Sequence, residues 1–298
     1  MTNVKFKGIM PALITPFDNN YKIIKNTVKE LIDYNYDKGV NGFYICGSTG
    51  EGPVLTAKMR MEMAEEVMQC NNGRGAIINH VGANSFEEIA QLVKHSNEIN
   101  VDAVSALPPF YFGYTDDEVV SFYKAIADMT DKPVIAYITD MIKTGDMVGL
   151  VKRLVEVPNI IGLKYTKPNY FEFRKIKEIN NGDINVINGP DEMLICGLVM
   201  GADGGIGTTY NVMSEWFVKL YECFTNGDLK QAQEYQYKIN RVVDLLIKHS
   251  DVGAIKATKE TLKLMGFDAG CSAFPAKTYT DAQITALKDD LKSVGFDI

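Results

Sequence analysis

The sequence predicts an α/β protein, a (β/α)8 barrel carrying a helical extension at its C-terminus. Three observations carry that prediction. Eight short apolar runs rich in β-branched residues alternate with longer segments of helical periodicity. The runs are mostly continuous rather than alternating, the pattern of strands buried on both faces of a parallel sheet. The first run ends in Ile14-Thr15-Pro16-Phe17, without the glycine-rich phosphate turn that usually marks an open doubly wound sheet.

The strands are expected at 8–14, 42–46, 76–81, 103–106, 133–137, 160–164, 185–187 and 203–206. Between them lie apolar positions at helical spacing, such as Val28-Leu31-Ile32 and Phe122-Ala125-Ile126-Met129. Ser85 is followed three residues later by Glu88, and Thr115 by Glu118. Both pairs have the form of a capping box, in which side chain and backbone satisfy each other at a helix start. After Thr209 the pattern is purely helical, at 210–224, 229–248, 254–265 and 281–294. The barrel is therefore assigned to 1–224, and 225–298 to an extension packed on it as one structural unit. The chain has no Pro/Gly/Ser-rich linker, low-complexity tract or short-period repeat.

Composition narrows the function. The 298 residues are 46% hydrophobic and 23% charged, which excludes disorder and suits a barrel folding as a single unit. A net charge of −7 repels phosphate backbones, so no nucleic-acid partner is expected. No apolar run approaches the roughly 18 residues that span a bilayer. The densest, Val242 to Ile247, is interrupted by Asp244, so no membrane partner is expected either. The segment Met1-Thr-Asn-Val-Lys-Phe-Lys-Gly8 lacks the apolar core of a standard signal peptide. The five cysteines are far apart and form no C-x-x-C pair, and only three histidines are present. No metal site is expected, and reduced thiols in the cytoplasm fit the pattern.

In such a barrel the chemistry sits where strands end and the following loops begin. After the second strand comes Gly47-Ser48-Thr49-Gly50-Glu51-Gly52, whose glycines let backbone amides approach an anion while the hydroxyls add donors. Without a following lysine it is not a nucleotide P-loop, and a plain flexible turn is its bland alternative. The fifth strand ends in Tyr137 and the sixth in Lys164, followed by Tyr165 and Thr166. Burial disfavours an ammonium ion and favours the neutral amine that attacks a ketone; a lysine reaching out to the rim is the alternative. Lys167 reads as ordinary loop charge. The seventh strand runs into Asn188-Gly189-Pro190-Asp191-Glu192, either a charged helix start or acceptors for polyol hydroxyls. The eighth leads to Gly204-Gly205-Ile206-Gly207-Thr208-Thr209. An anion cradle, a tyrosine, a lysine and an acidic pair at one barrel mouth suit a Schiff-base aldolase acting on a 2-oxo acid. The cradle would hold the carboxylate, Lys164 condense with the ketone and Tyr137 move the proton. No cofactor is needed, because the imine is itself the electron sink.

Gly47-Ser48-Thr49-Gly50-Glu51, Tyr137, Gly162-Leu163-Lys164-Tyr165-Thr166 and Gly201-Ala-Asp-Gly-Gly-Ile-Gly207 together resemble the N-acetylneuraminate lyase/dihydrodipicolinate synthase family. The resemblance runs from Phe6-Lys-Gly-Ile-Met-Pro-Ala-Leu-Ile-Thr-Pro-Phe17 to the helical tail. It implies a class I aldolase, a homotetramer, with pyruvate as product or donor. By position it makes Lys164 the Schiff-base lysine and Tyr137 the proton shuttle, with Ser48 and Thr49 on the pyruvyl carboxylate. It also implies that Ser48 links Tyr137 to a tyrosine of a neighbouring subunit, here Tyr111.

Within the family Gly189, Asp191 and Glu192 are similar to the lyase branch, where they hold the hydroxylated tail of sialic acid. Thr166, Gly207 and Thr208 match positions lining the same sugar pocket. The synthase branch carries an arginine soon after its tyrosine; the corresponding Ile138-Thr-Asp-Met-Ile-Lys-Thr-Gly145 has none, and Lys143 is its only cation. That segment also departs from the tyrosine-asparagine-x-proline run of both branches, with Asp140 near the expected proline. The leading expectation is cleavage of sialic acid to N-acetylmannosamine and pyruvate. A dihydrodipicolinate synthase or a 2-keto-3-deoxy sugar-acid aldolase, with Lys143 replacing the arginine, is the enzymatic alternative. A sugar-acid-binding protein without turnover is the third, although a mere binder needs neither nucleophile nor proton shuttle.

Overall fold

The computed structural model of the protein describes residues 6–250 and 254–298; the first five residues, part of the segment read for a leader, lie outside the described residues. The first half of the barrel is β1 (Gly8–Pro11), α1 (Lys25–Asp37), β2 (Gly42–Ile45), α2 (Ala57–Asn71), β3 (Ala76–His80), α3 (Phe86–Glu98), β4 (Ala103–Ala106) and α4 (Asp116–Ala127). The second half is β5 (Val134–Thr139), α5 (Met147–Val155), β6 (Ile160–Thr166), α6 (Tyr170–Lys177), β7 (Asn185–Asn188), α7 (Leu194–Val199), β8 (Gly204–Gly207) and α8 (Tyr210–Thr225). Helices α9 (Leu229–Lys248), α10 (Ile255–Leu264) and α11 (Asp281–Ser293) follow, within a residue of their expected limits.

The strands pair in parallel in the order β1-β8-β7-β6-β5-β4-β3-β2. The ring closes where Ala12 bridges Tyr44 and the Leu13 amide donates to the Tyr44 carbonyl at 2.9 Å. This is the predicted (β/α)8 barrel. Alternation along each strand separates two cores. Met10, Ile78, Ile135, Ile187 and Ile206 fill the lumen. Ile9, Phe43, Ile77, Val104, Ala136 and Leu163 face the helices. Burying each of these side chains other than that of Ala136 contributes about 1.5–3 kcal/mol relative to leaving it in water.

Three expectations are corrected. Strand β1 stops at Pro11 rather than residue 14, because the chain there leaves the β8 ladder and crosses to β2 to close the ring. Strands β5 and β6 continue two residues beyond Tyr137 and Lys164, to Thr139 and Thr166, since their mutual ladder persists that far. At Ser85 only half a capping box forms: Ser85 Oγ accepts from the Glu88 amide, but the Glu88 carboxylate lies 3.8 Å from the Arg60 guanidinium instead. The box at Thr115 and Glu118 is complete.

The β5–β6 ladder contains one irregularity. Val134 pairs with Ile160, but Ile135 pairs with Gly162, so β6 carries an extra residue at this point. Gly162 suits it, because a Cβ there would lie 1.9 Å from the Asn185 carbonyl oxygen. Beyond it Ala136 pairs with Leu163 and Tyr137 with Lys164.

Candidate active site

Residues paired in register on neighbouring strands point the same way. Tyr137 and Lys164 therefore enter the lumen side by side, at its carboxyl-terminal end. Lys164 is 5% exposed, with Nζ 4.4 Å from the Tyr137 ring centroid and 4.5 Å from that of Tyr44. Sequence reasoning missed Tyr44. It is buried, and its hydroxyl donates to Ser105 Oγ at 3.1 Å, which in turn donates to the Ile135 carbonyl at 2.7 Å. Its ring also explains Gly47, where a Cβ would stand 2.5 Å from the ring edge. The only signal in sequence was an aromatic residue at the end of an apolar strand, which reads equally well as core.

Burial pushes the Tyr137 phenol up, but the Lys164 charge opposes it, with the Ser48 and Thr166 hydroxyls and the lysine itself as hydrogen-bonding neighbours; the net direction is down. A phenol so placed gives up its proton more readily than free tyrosine, which makes the accepting phenolate more available. His80, also missed, stands edge-on to Tyr137 with centroids 6.0 Å apart. Burial, reinforced by the Arg60 and Lys164 charges, holds its imidazole well below the ordinary histidine range. Its Nε2 accepts from the Leu107 amide at 3.0 Å, while buried Arg60 donates to the His80 and Gly82 carbonyls. The imidazole is a neutral wall of the chamber.

The cradle after β2 is a tight loop. The Glu51 and Gly52 amides donate back to the Ser48 and Gly47 carbonyls, each at 3.0 Å, and Thr15 Oγ1 donates to the Gly50 carbonyl at 2.7 Å. Ser48 is exposed at the mouth and Thr49 is buried. The hydroxyls of Thr49 and Thr208 touch at 2.6 Å, joining the β2 and β8 loops. Gly189 and Gly207 are demanded by close approach: a Cβ would lie 1.9 Å from Thr166 Oγ1 at the first and 2.0 Å from Asp191 Oδ1 at the second.

The two carboxylates of the acidic pair lie in different environments. Asp191 opens a 3-10 turn, Asp191–Met193, which turns successive side chains about 120° apart. Asp191 is buried, and its Oδ2 accepts from both the amide and the hydroxyl of Thr209 at 2.6 Å. Glu192 is exposed. Helix α9 holds the backbone beneath them: Gln236 donates to the Asp191 carbonyl and Asn240 to that of Glu192, each at 3.1 Å.

Burial raises Asp191 from 3.8 to about 6, against the lowering effect of Thr209. Its folded pKa thus exceeds its unfolded one. The resulting stability is full below about 3.8 and lost as pH rises through about 6. Asp191→Asn, which keeps an oxygen for both Thr209 donors, is expected to abolish that loss. Melting curves of both proteins from pH 4 to 8 check it; parallel pH dependences would mean that Asp191 ionises as an ordinary carboxyl.

The remaining expected residues lie apart from this chamber. Tyr111 is 81% exposed on the loop before α4, packed edge-to-face with exposed Phe112. Lys143 is exposed on the turn after Thr139. Lys167 is more than loop charge: it lies 3.2 Å from Glu172, which also accepts from the Tyr165 hydroxyl, and 4.0 Å from Asp140 of the atypical segment.

A closed (β/α)8 barrel with a buried lysine walled by aromatic rings at its carboxyl-terminal end has that chamber where enzymes of this fold class carry their active sites. The chain belongs to the dihydrodipicolinate synthetase family, whose sequence model matches residues 5–294. It is 34% identical to an N-acetylneuraminate lyase of Rhizobium meliloti over 98% of this chain and 96% of that one. The solved N-acetylneuraminate lyase of Proteus mirabilis superposes with a TM-score of 0.92 at 26% identity, covering 99% of this chain and all of that one. A catalytic lysine mutant of Ruminococcus gnavus sialic acid aldolase superposes with a TM-score of 0.91 at 27% identity, covering 97% and 95% of the two chains. Among the described residues no helix is long and apolar enough to cross a membrane.

Proposed function

We propose that this protein is a class I aldolase, a carbon–carbon lyase that cleaves N-acetylneuraminate to N-acetylmannosamine and pyruvate through an imine on Lys164. The observation that carries the reading is the in-register pair of Tyr137 and Lys164 inside the lumen, in a chain matched end to end by proteins named for this activity. The cradle at Ser48 and Thr49 receives the substrate carboxylate. The Lys164 amine adds to the C2 ketone of the open-chain sugar, and the carbinolamine hydroxyl leaves as water with the Tyr137 proton, giving the iminium and the Tyr137 phenolate. Tyr137 takes the C4 hydroxyl proton as the C3–C4 bond breaks, and the electron pair flows into the iminium to form an enamine. N-acetylmannosamine leaves as the aldehyde. A proton returned to C3 and addition of water then release pyruvate and the free lysine.

Asp191 shapes the sugar pocket by fixing Thr209, and with it Thr208, rather than by meeting the sugar. Glu192 is the carboxylate left to accept from tail hydroxyls, with Thr166, Gly189 and Gly207 as further residues of the sugar pocket. Glu192→Gln should lower kcat/KM for sialic acid by about 10–150-fold, the range of one charge-assisted hydrogen bond, and leave pyruvate imine formation unchanged. A panel comparing sialic acid cleavage with pyruvate–semialdehyde condensation tests the whole reading. A wild type that ignores sialic acid yet condenses pyruvate with a carboxylated aldehyde would overturn it and make Lys143 the specificity residue. Neither product without any imine would leave a sugar-acid binder.

The exposed aromatic loop carrying Phe110, Tyr111 and Phe112, beside exposed Met141, is an apolar patch of the kind that docks a second copy. In our reading the assembly is a homotetramer in the cytoplasm, and Tyr111 completes the neighbour's proton path at Ser48.

A further inference from the structure

We infer that the C-terminal extension sets the geometry of the carboxylate cradle through one buried ion pair, Glu51–Lys259, which makes both side chains positioning residues for pyruvate. The inference rests on the aldolase reading above.

The cradle is intrinsically loose, because three of the six residues from Gly47 to Gly52 are glycines. Glu51 nevertheless holds a left-handed backbone, at φ 58°, a conformation uncommon outside glycine and asparagine that persists only where neighbours enforce it. The enforcement is visible. The Glu51 side chain is 8% exposed; Oε1 lies 2.5 Å from Lys259 Nζ, and Oε2 accepts from the Ala273 amide at 2.6 Å. Lys259, on α10 and 2% exposed, also donates to the Cys271 carbonyl at 2.6 Å and sits 4.1 Å above the Phe17 ring. Two stretches of the extension and the loop after β1 thus converge on the carboxylate three residues beyond Ser48.

A buried ion pair is a poor way to gain stability, since apolar side chains of equal volume often do as well. It is a good way to fix a position. Both charges must meet at one separation, and leaving either unpaired is costly. A partly buried pair, Lys177 to Asp203 at 2.7 Å, lies at the opposite end of the barrel, before β7 and β8 begin, and serves as the control.

The test is the pyruvate dependence of borohydride trapping on the full chain. Glu51→Gln/Lys259→Met removes both charges together and leaves none buried alone. It should raise half-saturating pyruvate by about 10–100-fold, the effect of a roughly 1 Å misplacement, with little change in the limiting trapping rate. Lys177→Met should lower the melting temperature and leave half-saturation at the wild-type value. A folded double variant that saturates like wild type overturns the inference. So does an equal shift in Lys177→Met, which would mean general destabilisation. Should the double variant not fold, Lys259→Arg keeps the charge but crowds Phe17. It should move half-saturation the same way by a smaller factor, and an unchanged value overturns the proposal. A wild type that cannot be trapped with pyruvate overturns the aldolase reading itself.

Discussion

Lys164→Met should lower sialic acid cleavage by at least about 10⁴-fold, the scale on which losing a covalent nucleophile falls. Methionine nearly matches the lysine chain in length and offers no amine. Without the iminium, the electron pair released from C3–C4 has no acceptor. The same substitution should leave the fold intact, because an apolar chain between the Tyr44 and Tyr137 rings no longer asks the lumen to hold a charge. Loss of turnover with an equal or higher melting temperature is therefore the expected signature. Mass spectrometry after pyruvate and borohydride completes the test: wild type should carry one reduced pyruvyl group on Lys164 and the variant none. A label on Lys167 or Lys143 would refute the assignment.

Tyr137→Phe comes second, with turnover expected to fall by roughly 10²–10⁴-fold, the usual contribution of one positioned acid–base group. The ring contacts with Tyr44, His80 and Lys164 survive in phenylalanine, so imine formation should be spared relative to bond cleavage. Single-turnover measurements separate the two steps, with trapping of pyruvate persisting while cleavage stalls. Near-normal cleavage would mean that another group, such as the substrate carboxylate, carries the proton.

Much of this architecture is legible in the sequence because barrel strands announce themselves by composition. Runs buried on both faces leave eight apolar segments, and a lysine or tyrosine at the end of one stands out against them. What remained hidden depends on long-range geometry. Glu51 and Lys259 are over two hundred residues apart, and each alone is an ordinary charged residue. Asp191 and Glu192 look like equals in one dimension, and only a three-residue turn and a threonine eighteen positions away separate their environments. Tyr44 and His80 differ from packing residues only in what they face. The end of β1 depends on where the ring closes, a decision taken jointly with β2 and β8.

The extra residue at Ile161–Gly162 works, in genetic terms, as a one-codon device. Ile160 and Leu163 both face the helical shell, although an odd spacing of three would place them on opposite faces of a regular strand. Removing that one codon would leave Ile160 and Leu163 two positions apart, the spacing of a regular strand, so Leu163 would stay in the shell and Lys164 in the lumen. A point substitution at Ile161 alters one side chain; loss of that residue would straighten the strand and keep Tyr137 beside Lys164. The strand therefore carries one residue more than its register needs, a spare letter that leaves the message after it unchanged.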